Sequence, residues 1–210
     1  MSVSSSLYTS IVAAKAVDGQ LDEYAERILE AAEAQFREFG LRRTSLDRVA
    51  KAAGVSRITL FRRFANRDAL IGAVVLRAGQ RFISEFDAAV PKTGGLDDRF
   101  VHGVVTAARM VSSEPLLGRL LQTDPEDVLP HLSTYGEGFI VLGRQYLASA
   151  MIRARDAGLE INGDIDWLAE IFVRIVHSMM LAQSDLLADE ERLAAFARTN
   201  LLPMLHGNGA

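Results

Sequence analysis

T-S-L-D-R-V-A-K-A-A-G-V-S-R-I-T-L-F-R-R-F, from Thr44 to Phe64, reads as two short helices joined by a glycine turn, with arginines gathered on the second. Thr44, followed three positions on by Asp47, has the form of a helix start: a capping hydroxyl with an acid in the first turn. Leu46, Val49, Ala50 and Ala53 recur at helical spacing. Gly54 then stops the helix, because glycine enters a left-handed turn without steric cost. Ser56 caps the next helix, whose inward positions are Leu60 and Phe64. Small Ala50, turn Gly54 and apolar Leu60 suit two helices crossing at roughly 90–120°, the helix-turn-helix of DNA-binding proteins. An ordinary helical hairpin satisfies part of the same pattern.

The outward face of the second helix separates the two readings. With Leu60 and Phe64 pointing inward, Arg57, Ile58, Phe61 and Arg62 share the opposite side. A solvated helix seldom sets Ile and Phe side by side between arginines. A helix seated in the major groove uses both kinds: Arg for guanine edges and phosphates, apolar groups for thymine methyls.

Charge follows the same division. Between Leu41 and Arg67 there are eight Lys or Arg against Asp47 alone, a net +7. The whole chain carries −4, so the remainder carries −4 − 7 = −11. A basic end on an acidic body is an electrostatic footprint for nucleic acid, although most charge runs are only solvated faces. The 210 residues, 49% hydrophobic and 24% charged, suffice for one or two domains with a substantial core. The chain has no cysteine, which excludes disulfides and thiolate metal sites and suits a reducing compartment. No run of about 18 apolar residues is present to span a membrane. The N-terminus lacks the pattern of a secretory signal, so a cytoplasmic location is expected.

Along the chain the expected class is all-α. Residues 1–20, with Ser4, Ser5 and Ser6, read as a flexible arm, followed by a DNA-binding domain over 21–68. A helix from about Leu21 to Phe39 presents Ile28, Ala32, Phe36 and Phe39 as one stripe, and Gly40 ends it. Asn66 caps a helix running to about Val90, and Pro91 to Gly95 break the pattern. Residues 69–205 form the expected effector-binding and dimerisation domain, with 206–210 as a disordered tail. Its helices are expected over about 97–113, 116–122, 133–157, 164–187 and 190–205, with a short turn from Pro125 toward Pro130. Gly136, Gly138 and Gly143 read as permitting close helix contact or a cavity. The helix after Asp164 is apolar on most sides, so a second subunit is expected to cover one of them.

Ala53 to Leu70, A-G-V-S-R-I-T-L-F-R-R-F-A-N-R-D-A-L, together with Gly40, Thr44-Ser45 and Val49-Ala50, resembles the TetR family of bacterial transcriptional regulators. The resemblance covers about a quarter of the chain, at the family's N-terminal domain. It implies an all-α homodimer that binds a palindromic double-stranded DNA operator and usually represses, released by a small-molecule effector in the C-terminal domain. By position, Thr44 or Ser45 would meet a phosphate. Arg57, Ile58, Thr59, Phe61 and Arg62 would lie in or beside the groove, and Arg67 would hold a backbone phosphate. Ile58 stands where a small residue is frequent, Phe61 where tyrosine is usual and Arg63 where histidine is usual. Phe61 thus lacks a hydroxyl for phosphate, and Ile58 projects more bulk toward the bases.

Catalytic chemistry finds little support. The four histidines show no metal-type pairing, and no nucleophile elbow, Walker or dinucleotide loop is present. Neither a cofactor, a metal nor an enzymatic activity is expected. The candidate lining of an effector pocket is Phe100, Met110, Phe139, Tyr146, Trp167, Phe172, His177 and Met180, with core packing the bland alternative for each. The candidate dimer interface is Ile171, Ile175, Met179, Leu193, Phe196 and Leu201. Two other readings stay open: a DNA-binding regulator with no small-molecule effector, and a ligand carrier or enzyme with a vestigial DNA-binding domain.

Overall fold

The computed structural model describes residues 23–133, 137–181 and 189–206, and the regular elements among them are all helical. The expected arm at 1–20, the tail beyond residue 206 and the expected extension of a helix to Leu187 lie outside the described residues. The chain forms two compact units. The first comprises the chain up to Gly79 together with Glu114–Phe139; the second comprises Gln80–Ser113 and the chain from Ile140 onward. Expectation placed a single boundary near residue 68 and left 114–139 in the C-terminal domain. Physically those residues belong with the helix-turn-helix, because Leu116, Leu120, Val128 and Leu132 complete its core.

Helix α1 (Glu23–Phe39) opens the first unit, burying Ile28, Leu29, Ala32 and Phe36. Phe39, expected on the same stripe, instead faces outward at the last turn and receives the Arg48 guanidinium at 5.2 Å. Gly40 follows with φ +80°, the left-handed conformation that ends a helix cheaply only in glycine. Helices α2 (Leu46–Ala52) and α3 (Arg57–Arg63) are separated by Gly54 at φ +64°. The Val55 N–H bonds back to the Ala50 carbonyl at 3.0 Å, which seals the end of α2. Val49, Ala50, Leu60 and Phe64 are buried, as the inward spacing requires. The cap of α2 is Ser45 rather than Thr44: the Ser45 hydroxyl accepts the Arg48 N–H, while Thr44 is buried and donates to the Gly40 carbonyl at 2.8 Å. Asn66 caps α4 (Arg67–Ala89) through the Ala69 N–H at 2.8 Å. Arg77 on α4 reaches Glu26, Glu30 and Glu33 of α1. Helices α6 (Pro115–Thr123) and α7 (Pro125–Leu132) close this unit.

The second unit contains α5 (Leu96–Ser113), most of α8 (Glu137–Asp156), α9 (Ile165–Leu181), α10 (Glu190–Phe196) and α11 (Pro203–His206). Its core gathers Val101, Met151, Ile161, Leu168, Phe172, Leu201 and Leu205. Gly143 lets α8 approach α9 closely, since a Cβ there would lie 3.0 Å from a Val173 methyl. Asp164 caps α9 by accepting from the Asp166 and Trp167 N–H groups. The expected single helix over 190–205 is broken. A π turn at Ala197–Leu201 separates α10 from α11, with the Leu202 N–H reaching five residues back to Ala197 at 2.8 Å. Pro203 is the physical reason: its ring clashes with the carbonyl four residues earlier in a regular helix.

Candidate DNA interface and effector cavity

Helix α3 is too short to hold itself and is fixed from three sides. Ser56 accepts the Thr59 N–H at 3.0 Å, Leu60 anchors the inner face, and Gly54 sets the angle to α2. Arg27 of α1 completes the clamp by donating to the Ala53 carbonyl at 2.6 Å and the Gly54 carbonyl at 3.2 Å. These bonds satisfy carbonyls at the end of α2 that have no partner within the helix.

The outer face of α3 carries the expected set. Ile58 is 80% exposed and Phe61 37%, with Arg57 and Arg62 exposed beside them. Arg57 lies 3.2 Å from Asp47 of α2, and its guanidinium sits 5.3 Å from the Phe61 ring centroid. Asp47 and Phe61 therefore fix the direction of the arginine most forward on the helix. Thr59 exchanges a 2.9 Å hydrogen bond with the Ser56 hydroxyl. Arg63 turns toward α1, over the Tyr24 ring at 5.0 Å.

The loop from Gly40 to Thr44 is held by groups far away in sequence. Asp124, between α6 and α7, is buried and accepts from the Leu41 and Arg42 N–H groups at 3.2 Å each. Burial raises the Asp124 carboxyl. Hydrogen bonds from Thr123, Arg42 and Leu41, with the Arg42 charge, outweigh it and leave the group below its ordinary value. A side chain on Gly40 would collide with Asp124 Oδ2 at 2.8 Å. Arg42 pairs with Glu126 and Asp127 of α7, and Arg119 of α6 donates to the Glu38 carbonyl at 3.0 Å. Arg67 donates to the Leu41 carbonyl and approaches Asp127 at 4.0 Å, so part of its donor set is already used.

The second unit contains a partly open cavity of about 360 Å³. Phe86, Val104, Met151, Phe172, Ile175 and Leu205 contribute apolar surface; Asp87, Lys92, Arg99, Tyr146 and Arg153 contribute polar groups. The Tyr146 hydroxyl donates to Asp87 at 2.7 Å. Burial, followed by that bond, raises the phenol well above its usual value. Asp87 is lowered, first by the Lys92 hydrogen bond and then by Tyr146.

Residues 28–74 match the family model described as bacterial regulatory proteins, tetR family. An uncharacterised HTH-type transcriptional regulator of Mycobacterium tuberculosis is 28% identical over 171 residues, 81% of each chain. Two solved structures share the fold. The TetR-family repressor AlkX of Dietzia superposes with a TM-score of 0.68 at 23% identity, over 86% of this chain and 94% of that one. The transcriptional repressor QsdR of R. erythropolis gives 0.65 at 23% identity, over 90% and 96%. Residues 28–74 are thus a TetR-family DNA-binding domain.

As a DNA-binding transcriptional regulator, the protein has the helix-turn-helix of this domain at α2 and α3. No described helix is long and apolar enough to cross a membrane. Of the residues expected in an effector pocket, Phe100, Tyr146 and Phe172 line this cavity. Met110, Phe139, Trp167, His177 and Met180 do not: Phe139 packs against Gly79 in the first unit, and Trp167 is 67% exposed. Of the residues expected at a dimer interface, Met179, Leu193 and Leu201 are buried within the unit, and Ile175, Met179 and Leu201 line the cavity. Ile171 is half-buried, and Phe196 is 52% exposed. An apolar helix announces burial without saying which side meets the core, so the sequence left the direction of these side chains open. Arg27 and Asp127 escaped sequence reasoning and Asp124 read only as the opening of a turn, because no local pattern marks a partner in a distant segment.

Proposed function

We propose that this protein is a homodimeric TetR-family repressor that binds a palindromic operator and is released by a small, largely apolar ligand held in the second unit. The exposed face of α3 carries this reading: Ile58 and Phe61 lie open to solvent between Arg57 and Arg62 on a helix fixed at its base. In the groove, Arg57 and Arg62 read guanine edges while Ile58 and Phe61 meet thymine methyls. Ser45 and Thr59 supply hydroxyls near the backbone, and Arg67 offers phosphate the donors not used by Leu41. Thr44 is occupied by the Gly40 carbonyl, so the phosphate role passes to Ser45. The DNA-binding domain is residues 23–79 with 114–139, and the second unit binds effector and partner subunit. Exposed Trp167 and Phe196 favour pairing through that unit, since large aromatics are costly to leave in water. The cavity favours an effector-responsive regulator over one with a filled core.

Selection of genomic fragments by the purified protein at near-physiological salt tests this reading. Recovery of an inverted repeat with half-sites on one face of the duplex is expected. Recovery of no sequence above background refutes operator binding by the free protein.

A further inference from the structure

The two ends of the cavity differ in chemistry. Its depth is apolar: Met151, Ala154, Ile161, Phe172 and Leu205 are buried there. Its polar edge carries exposed Lys92 and Arg153 and half-buried Arg99 against the single carboxylate of Asp87, a balance of 3 − 1 = +2. Asp87 is already engaged by the Tyr146 hydroxyl and the Lys92 ammonium, each at 2.7 Å. Both contacts fall on Oδ1, and the Lys92 ammonium offsets the carboxylate charge, so Asp87 attracts a cationic ligand only weakly. Arg99 uses its Nε on the Pro91 carbonyl at 3.1 Å, and among the described residues its terminal nitrogens remain for another acceptor. Tyr146 stays neutral and adds no charge.

We infer that the cavity takes an amphipathic anion, an apolar body ending in a carboxylate-like head, with the body in the Phe172–Leu205 depth and the head between Arg99 and Arg153. A neutral head gains only an uncharged acceptor's hydrogen bond from two guanidinium groups that form no ion pair among the described residues, and a cationic head meets net repulsion. A planar carboxylate matches the donor fork of arginine, and charge-assisted bonds at such an edge are the stronger kind. The inference rests on the cavity being the effector site, as proposed above.

Three ligands of equal chain length separate the possibilities: decanoate, decanol and decylamine, titrated calorimetrically into the full-length protein. Decanoate is expected to bind roughly tenfold more tightly than decanol, with decylamine weakest. Arg153→Gln and Arg99→Gln should each remove most of that advantage while leaving decanol affinity unchanged. Arg153 is exposed, so its replacement leaves folding intact, and decanol binding verifies this in the same experiment. Equal or tighter binding of decanol or decylamine overturns the anionic head and leaves the cavity standing as an effector site. Failure of all three to bind overturns both readings.

Discussion

Asp124→Asn changes one atom in a side chain where three donors converge. The Leu41 and Arg42 N–H groups, at 3.2 Å each, and the Thr123 hydroxyl, at 2.7 Å, are satisfied by two carboxylate oxygens. Asparagine offers one oxygen, and its amide opposes at least one of those donors. An unsatisfied buried donor costs about 1–3 kcal/mol, and the loss of charge assistance places the expected effect near 2 kcal/mol. The sign of the pH dependence follows from the lowered carboxyl. A depressed folded-state pKa stabilises above the unfolded value, about 3.9, and the contribution is lost as pH falls through the folded one. Urea denaturation of both proteins at equal concentration should therefore show a constant gap from neutral pH down to about pH 5, shrinking below about pH 4. A gap under about 0.5 kcal/mol at neutral pH, or one undiminished in acid, would refute the charged latch.

Gly54→Ala should destabilise by about 2–3 kcal/mol in the same assay, from a left-handed φ and displacement of Arg27 from its carbonyls. Arg57→Ala should cost about 1–3 kcal/mol of operator affinity and relax preference at one position, read by fluorescence anisotropy on single-base operator variants. Asp47→Ala should weaken that same position selectively, because Asp47 aims Arg57; a uniform change across the operator counts against this. Arg67→Ala should weaken all sequences alike and also lower the denaturation midpoint, since its bond to the Leu41 carbonyl is lost along with a phosphate contact. Trp167→Glu should raise the dissociation constant of the proposed dimer, measured by sedimentation, with little change in monomer stability.

The helix-turn-helix was legible because its determinants are local. Gly54 needs only its own φ, Ser56 reaches three residues ahead, and Leu60 and Phe64 follow helical spacing. The solvent face of α3 followed from the same geometry. Asp124 was beyond such reading: its partners lie 82 and 83 residues away, and an Asp before a proline looks like any helix start. Pro203 was visible in the sequence, yet its effect depended on the preceding turn opening into a π geometry rather than stopping the helix. For the cavity the obstacle was azimuth. Phe172 and Trp167 sit on one helix five residues apart, one buried in the lining and the other facing solvent, and composition alone does not distinguish them.

The first unit is assembled from two stretches of chain, so it matures late on the ribosome. When Gly79 has emerged, α1 to α3 exist without the leucines of α6 and α7 that close their core. Synthesis must continue through Leu132 before Leu41 finds Asp124 and the loop ahead of α2 is pinned. For the nascent chain, the DNA-reading surface is thus finished only after the first pass through the second unit, residues 80–113, has been made. A gene fusion or truncation that cuts the chain at its first unit boundary severs the reader from its own foundation.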